Sequence, residues 1–309
     1  MIEHYAGKTG TAVFLIVAPL ITLGIAIYMT WNWLVNWQDL VLLGGMYTLV
    51  SFGVTIGYHR YLTHTGFKTN RIVKYVLVIL GTMGWQGGAI SWVANHRLHH
   101  AYPDQEGDVH SPQLSKNLVL GFIHAHIGWM LGNYRADPEK WAKDLLKDKD
   151  ILFIDRTTLF WCGLSLVVPL AIGGWSGLLW GGLVRILLTQ HVTFSVNSVC
   201  HIFGSRAFET KDKSTNHWLV GLLGMGEGGH NTHHASPRSA RHGIKWWHFD
   251  TSWKVIRLLG LVGLARDVYD LDPVDLPIAL KKRAASVRAT IRQDLRVSKA
   301  VKSAAAEGS

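Results

Sequence analysis

The sequence predicts an all-α integral membrane protein, with four transmembrane helices under a cytoplasmic helical cap that carries a histidine-rich metal site. Three observations predict it. The 309-residue chain is 48% hydrophobic and only 17% charged, whereas soluble domains are usually about a quarter charged. Its apolar residues fall in runs long enough to cross ~30 Å of hydrocarbon. Many of its 17 histidines are concentrated in three short clusters beside those runs.

Four apolar segments are predicted to cross the membrane. The first two are residues 11–31 and 40–58, and the last two are residues 153–173 and 178–201. Each is close to the ~20 residues that an α-helix needs to cross the hydrocarbon. Arg185 lies inside the fourth segment, so it must pair, face the bundle interior or extend to the membrane surface.

The distribution of basic residues predicts the orientation. Lys and Arg are frequent in residues 59–152 and 202–280, whereas the short connections 32–39 and 174–177 contain none. Loops rich in Lys and Arg stay on the cytoplasmic side. We therefore expect the two long basic segments to form a cytoplasmic cap, and both termini to be cytoplasmic.

Two further segments complete the predicted organisation. If the apolar run 72–90 were a span, it would place the first two histidine clusters on opposite sides of the membrane, so we predict a helix lying along the cytoplasmic interface. Residues 1–280 then form one membrane domain, followed by the basic tail 281–309. The net charge of +10 suits an anionic lipid surface and, beside such apolar runs, does not indicate nucleic-acid binding. We expect a multi-pass protein of a bacterial inner membrane.

Eight histidines form three clusters with the spacings H-x4-H, H-x2-H-H and H-x2-H-H. They are His59 and His64; His96, His99 and His100; and His230, His233 and His234. Residues three and four apart share a helical face, so each H-x2-H-H cluster converges on one side. His59 and His64 are roughly 140° apart on an α-helix, so we predict that they bind different ions unless the helix ends between them. The clusters therefore predict a site for two metal ions.

Residues near the clusters extend this site. His201, at the end of the fourth span, is a ninth candidate ligand, and Asn197 lies one turn earlier, where it could hold a water or contact a metal. The acidic residues nearby are Asp104, Glu106, Asp108 and Glu227. They could bind metal directly, but they lack the Glu-x-x-His pairs of carboxylate-bridged di-iron bundles. We expect Glu227 and Asp108 to orient ligand imidazoles instead.

The ligand type restricts which metals and which reactions are candidates. Structural zinc prefers four ligands and often includes cysteine, whereas imidazole sites also suit iron and copper. Two irons held by neutral imidazoles fit activation of O2 and attack on an unreactive C–H bond, and the position beneath a membrane indicates an apolar substrate. Eight other histidines are expected to be structural: His4, His110, His124, His126, His191, His217, His242 and His248.

Six motifs resemble, in order and spacing, those of the membrane fatty acyl desaturases of the stearoyl-CoA (delta-9) type. They are Gly57–His64, Trp92 ahead of His96–His100, Asp108–Pro112, His126–Trp129, Asn197–His201 and Gly226–His234. The resemblance covers residues 40–269. It implies an enzyme that uses O2 as co-substrate to introduce a cis double bond at carbon 9 of a saturated C16 or C18 acyl chain.

The resemblance also implies two Fe2+ ions with separate ligands. One iron would be bound by His59, His96, His100 and His233, with Asn197 acting through a water. The other would be bound by His64, His99, His201, His230 and His234. The substrate would follow a bent tunnel lined by Trp85, Gln86, Trp92, Thr193 and Phe194.

One departure from the family leaves the acyl carrier open. Ala94 and Asn95 stand where animal acyl-CoA enzymes have Arg-Asp, so a CoA ester, a membrane lipid and an acyl-carrier protein all remain candidates. Arg97, Lys116 and Arg135 could still meet phosphates. The sequence contains no haem-binding His-Pro-Gly-Gly segment and no Gly-rich flavin or nicotinamide fingerprint. We therefore expect no haem or flavin, and electrons from a separate acidic donor of the ferredoxin or cytochrome b5 type.

Two other classes of function are alternatives to a desaturase: another oxygen-using membrane enzyme and a non-enzymatic metal- or haem-binding protein. Membrane hydroxylases and ketolases use similar histidine clusters, but Asn197–His201 and Gly226–His234 favour a desaturase. A metal-transporting membrane protein would need ligands in the middle of its spans, whereas these clusters lie at one membrane face. A haem-binding subunit would need only two axial histidines per haem, which leaves most of the clustered histidines unexplained.

Overall fold

The computed structural model describes residues 9–271 apart from 33, 133 and 247, and their side chains from residue 20 onwards. The predicted tail 281–309 lies outside the described residues. The α-helices are α1 (Thr9–Trp31), α2 (Trp37–Phe52), α3 (Arg71–Thr82), α4 (Ala89–Ala101), α5 (Leu118–His126), α6 (Pro138–Trp141), α7 (Lys149–Arg156), α8 (Thr158–Gly177), α9 (Arg185–Ser198), α10 (Trp218–Leu223), α11 (His230–Ala235) and α12 (Thr251–Leu261). Two short strands, β1 (Lys68–Thr69) and β2 (Ala265–Arg266), pair antiparallel.

Two continuous helical stretches are long and apolar enough to cross a membrane. The first, Trp37–Thr63, consists of α2 and the π-helix Gly53–Thr63. The second, Thr158–His201, has 44 residues and bends at Gly174, where φ is +60°; beyond the bend come the π-helix Leu178–Val184, α9 and a 3₁₀ turn. Only 39% and 28% of their most apolar windows are buried, so these helices present apolar surface outward.

The boundaries differ from the predicted ones at two places. The third predicted span begins at Thr158 rather than 153, because α7 ends at Arg156 and Thr157 caps its last carbonyls. The run 72–90, predicted as one helix, is divided between α3 and the start of α4. Helix α3 ends at Thr82, and the turn before α4 includes Trp85 and Gly87, both with positive φ, a conformation that interrupts a right-handed helix.

The π-helix packs directly against α3. A Cβ added to Gly53 would lie 2.1 Å from the amide nitrogen of Gly81, and one added to Gly57 would lie 2.6 Å from the carbonyl oxygen of Leu77. Glycine is therefore required at both positions for the two backbones to approach. This contact fixes the π-helix, which carries the first histidine cluster, against the cap.

Arg185 is fully buried among the membrane helices. Its guanidinium donates to the carbonyl oxygen of Met83 at 2.8 Å and to the hydroxyl oxygen of Ser165 at 2.9 Å. The expectation that this side chain could face the bundle interior is confirmed. Carbonyl dipoles from several helices replace the water that the charge has lost.

Candidate metal centre

The nine predicted ligand histidines converge in two adjacent groups. Cluster A contains His59, His64, His96, His100 and His233. Cluster B contains His99, His201, His230 and His234. Within each cluster one ring nitrogen per residue lies within 4.8 Å of all the others, a separation that a single metal ion can bridge. The structure therefore contains two sets of converging imidazoles.

Two short helices contribute to both clusters. On α4, His96 and His100 face cluster A while His99 faces cluster B; on α11 the assignment is reversed, with His233 in cluster A and His230 and His234 in cluster B. Residues four apart share a helical face, and the residue between them in the H-x2-H-H motif is displaced towards the neighbouring face. Each motif therefore splits between two sites that lie side by side.

The family resemblance assigns His64 to the second iron, and that assignment stays a prediction. In the structure the His64 ring groups with cluster A, beside His59. The physical reason is the π-helix. The backbone N–H of His64 donates to the carbonyl oxygen of His59 at 3.2 Å, an i→i+5 bond that places residues five apart on successive turns of one face. The two rings are 4.9 Å apart. An ideal α-helix would have separated them, and the π-helix also ends at Thr63.

Three carboxylates support cluster B. Asp108, Asp104 and Asp212 accept hydrogen bonds from the Nδ1 atoms of His99, His201 and His234 at 2.8, 3.0 and 3.1 Å. A proton held on Nδ1 leaves the lone pair of a neutral ring on Nε2, the atom that faces the centre of the cluster. The structure places the predicted Asp108 in the contact that its role requires, and Asp104 and Asp212 join it.

One carboxylate supports cluster A. Glu227 contacts Nδ1 of His59 at 2.5 Å and Nε and Nη2 of Arg60. Arg60 is fully buried and also pairs with Asp250 at 2.8 Å. Nη2 of Arg60 lies 3.2 Å from Nδ1 of His242. The expected contact of Glu227 with a ligand imidazole is present, but the negative charge of Glu227 is shared with the Arg60 cation.

The donor atoms fit a metal ion. The Nε2 atoms of His99 and His234 lie 3.3 Å apart while both Nδ1 atoms face carboxylates, so two ring nitrogens that the carboxylates leave available meet in one buried space. The Nε2 atom of His64 is buried in cluster A and has no hydrogen-bond partner. A cation at the centre of each cluster would satisfy these atoms.

The protonation states favour metal binding. Burial, followed by repulsion from neighbouring imidazoles, lowers the pKa of His100, His230 and His233 well below its ordinary value. Neutral imidazole is the form that binds metals. Most of these ligands therefore need not lose a proton when a metal ion arrives.

A pocket between the apolar helices α2 and α9 borders cluster A. His59 and His96 form part of its wall, together with Trp92, Thr193 and Asn197. Cluster B contributes no residue to this wall among the described residues. Asn197 thus lies beside cluster A, where the expected water-mediated contact would be made.

The predicted tunnel residues separate into two groups. Nε2 of Gln86 donates to Oγ1 of Thr193 at 2.7 Å, and Nε1 of Trp92 donates to Oε1 of Gln86 at 3.0 Å. These three form a chain of hydrogen bonds beside the pocket. The Trp85 indole instead donates to Ser165, and Phe194 packs against His126 with ring centroids 5.8 Å apart.

Two basic residues considered for phosphate binding are used within the protein. Arg97 pairs with Asp144 at 2.6 Å and donates to carbonyl oxygens of residues 62 and 63. Arg135 donates to four backbone carbonyl oxygens, including that of Met130 at 2.9 Å. Both guanidinium groups are therefore engaged in contacts within the protein.

Sequence reasoning missed two residues of this site. Asp212, which orients His234, lies in a polar loop with no motif around it. His242, taken as structural, packs against His233 with ring centroids 4.6 Å apart. Neither position carries a local pattern, because each acts through a contact with a residue that is distant in the sequence.

Comparisons with known proteins agree with this geometry. Residues 11–261 match the family model described as fatty acid desaturase. A hex-5-enoyl-[acyl-carrier protein] acetylenase of Moorena producens is 39% identical over 82% of this chain and 83% of its own. An sn-1 stearoyl-lipid 9-desaturase of Anabaena variabilis is 41% identical over 71% and 79%, and an icosanoyl-CoA 5-desaturase of Limnanthes douglasii is 38% identical over 83% and 71%. The match spans both histidine clusters and the membrane helices, and the chain belongs to the fatty acid desaturase family.

Proposed function

We propose that this protein is a di-iron acyl desaturase that introduces a cis double bond at carbon 9 of a saturated C16 or C18 chain. The acyl chain loses two hydrogens. One O2 accepts these together with two electrons and two protons from outside, and leaves as two waters. The observation that carries the proposal is the meeting of the narrow pocket with His59 and His96 of cluster A, because it brings a C–C bond of a bound chain to the ligand histidines.

Nine histidines of clusters A and B would hold the two irons, with Asn197 acting through a water at cluster A. When bound, the irons would supply the oxidising power that removes hydrogen from an unactivated carbon. The chain's own residues fix the orientation of the imidazoles through Glu227 and the three aspartates, and exclude bulk water from the reacting carbon.

The position of the bond depends on how the acyl chain is held. The hydrogen-bonded chain of Trp92, Gln86 and Thr193 fixes the pocket wall beside cluster A. The carbon–carbon bond at this wall would be the one that reacts. Relatives whose names state a 9-desaturase, a 5-desaturase and an acetylenase all share the clusters, so we assign carbon 9 on the motif resemblance and on the similarity to the stearoyl-lipid enzyme.

Membrane arrangement and electron supply complete the proposal. We infer four spans, with the histidine clusters and both termini on the cytoplasmic side of a bacterial inner membrane, from the basic segments 59–152 and 202–280. Two electrons per double bond would come from a separate acidic protein of the ferredoxin or cytochrome b5 type, attracted to the basic face. The acyl carrier is a CoA ester, a membrane lipid or an acyl-carrier protein.

A fatty-acid profile tests the proposal. The chain would be expressed with a ferredoxin in an aerated bacterial host, and double bonds would be located by gas chromatography with mass spectrometry. We expect a new cis-9 monoene that is absent in the His99→Ala variant. A monoene at another carbon would correct the position alone, and a hydroxylated lipid would move the protein to the hydroxylase class. An unchanged profile with two irons bound per chain would contradict an acyl substrate.

A further inference from the structure

The negative charges that support the two clusters are distributed unequally. Three aspartates, Asp104, Asp108 and Asp212, contact ligand rings of cluster B. In the part of the chain that the structure describes, Glu227 is the one carboxylate that contacts a ligand ring of cluster A. Arg60 lies against Glu227 at 3.1 Å and against Asp250 at 2.8 Å, so two of the negative charges near cluster A share a buried cation.

The aspartates of cluster B are held by hydrogen bonds from uncharged donors. Asp104 accepts from Oγ of Ser111 at 2.6 Å and from the backbone N–H of Lys213 at 2.7 Å. Asp212 accepts from the backbone N–H of Ser214 at 2.8 Å, and Asp108 accepts from the backbone N–H of Asp104 at 2.9 Å. Three carboxylates therefore lie beside cluster B, and no Lys or Arg side chain is paired with any of them among the described residues.

The clusters also differ in access. His59 and His96 of cluster A line the pocket between α2 and α9, whereas the described wall includes no ligand of cluster B. A ligand that enters from the pocket would meet cluster A first.

On the proposed two-metal function, we infer that the clusters divide their roles: cluster B is the tight metal site, and cluster A is the weaker site that faces the acyl chain. Asp104, Asp108 and Asp212 are positioning residues, because each orients an imidazole and adds a negative charge beside a divalent cation. An acceptor on the outer nitrogen raises the basicity of the ligand, and its loss typically lowers metal affinity 10- to 100-fold. Arg60 opposes the same effect at cluster A.

Titration of the purified metal-free protein with Co2+ tests this division. Visible absorption and equilibrium dialysis would follow the binding, and we expect two steps whose dissociation constants differ at least about 10-fold. Asp212→Asn and Asp108→Asn, which keep an acceptor oxygen but remove the charge, should weaken the first step and leave the second unchanged. Glu227→Gln should weaken the second step only. Asp267→Asn, which changes an exposed carboxylate paired with Lys68, is the matched control.

A second measurement tests access. Stearic acid added to the protein should change the visible spectrum of Co2+ bound in the second step and leave that of the first step unchanged. Two equal binding steps, or an aspartate variant that weakens the second step, would overturn the division of roles while leaving the two-metal site intact. Binding of fewer than two Co2+ per chain would overturn the proposed function as well.

Discussion

Clusters A and B are built from the same ligand and lie side by side, yet their surroundings differ. Cluster A borders a pocket between membrane helices, and its single carboxylate, Glu227, is shared with buried Arg60. Cluster B contributes no residue to the described pocket wall and has three carboxylates of its own. The imidazoles therefore define where metals would bind. The carboxylates and the arginine that lie against these imidazoles make the two sites different.

The secondary structure beneath the clusters differs as well. Two cluster A residues, His59 and His64, come from a π-helix held against α3 by Gly53 and Gly57. Cluster B takes His201 from the 3₁₀ turn that ends the membrane helix. Both depend on α4 and α11, so damage to either of these helices should affect both sites, whereas damage to the π-helix should affect cluster A first.

Removal of a ligand from either cluster should have the largest effect. We expect His233→Ala in cluster A and His99→Ala in cluster B each to lower desaturation more than about 100-fold, since loss of an outer partner alone costs 10- to 100-fold. Iron content, measured by mass spectrometry, should fall from two per chain towards one. His124→Ala, on α5 outside both clusters, is the control. Normal activity in either ligand variant would remove that cluster from the catalytic site.

Loss of the buried cation should have the next largest effect. Arg60→Gln would leave Glu227 and Asp250 buried without a counter-charge, which typically destabilises a protein by about 3–5 kcal/mol. The measurement is the fraction of detergent-solubilised protein that remains monodisperse after heating. Arg71→Gln, which changes an exposed residue paired with Asp150, should be close to neutral. Equal thermal stability of the two variants would show that the Arg60 network is not required for the fold.

A change in the backbone contact of the π-helix should have a smaller and more local effect. The added Cβ in Gly57→Ala would lie 2.6 Å from the carbonyl oxygen of Leu77, and such overpacking costs about 1–3 kcal/mol. We expect iron to be lost from cluster A before cluster B. Gly44→Ala, where nothing lies within 4 Å of the added atom, should retain both irons. Equal loss from the two clusters would contradict their structural independence.

A change in the pocket wall should have the smallest effect on total activity. Thr193→Phe would fill space beside cluster A and break the hydrogen bond from Gln86. We expect at least half of the iron to remain and the product to shift to another chain length or bond position, as read by gas chromatography. Ser195→Phe, two residues along the same helix and outside the pocket wall, is the control. An unchanged product would argue against this pocket as the acyl site.

Much of the site was predictable because its signals are local. The H-x2-H-H spacing places three imidazoles on adjoining faces of one helical turn, and long apolar runs require burial in lipid or protein. The predicted helical character and the desaturase family are confirmed, and the clustered histidines converge in groups that could hold metal ions. Glu227 and Asp108 were also predictable, since each lies close in the sequence to a cluster that it supports.

The sequence by itself determined the ligand type, the family and the apolar segments, because these depend on composition and on spacings within a few residues. Only the tertiary structure decided how the imidazoles group. The His64 ring lies beside His59 because α2 continues as a π-helix, and an α-helical spacing rule does not describe that geometry. Asp212 and His242 reach the site through long-range contacts. Their roles depend on packing between distant segments, which no local pattern encodes.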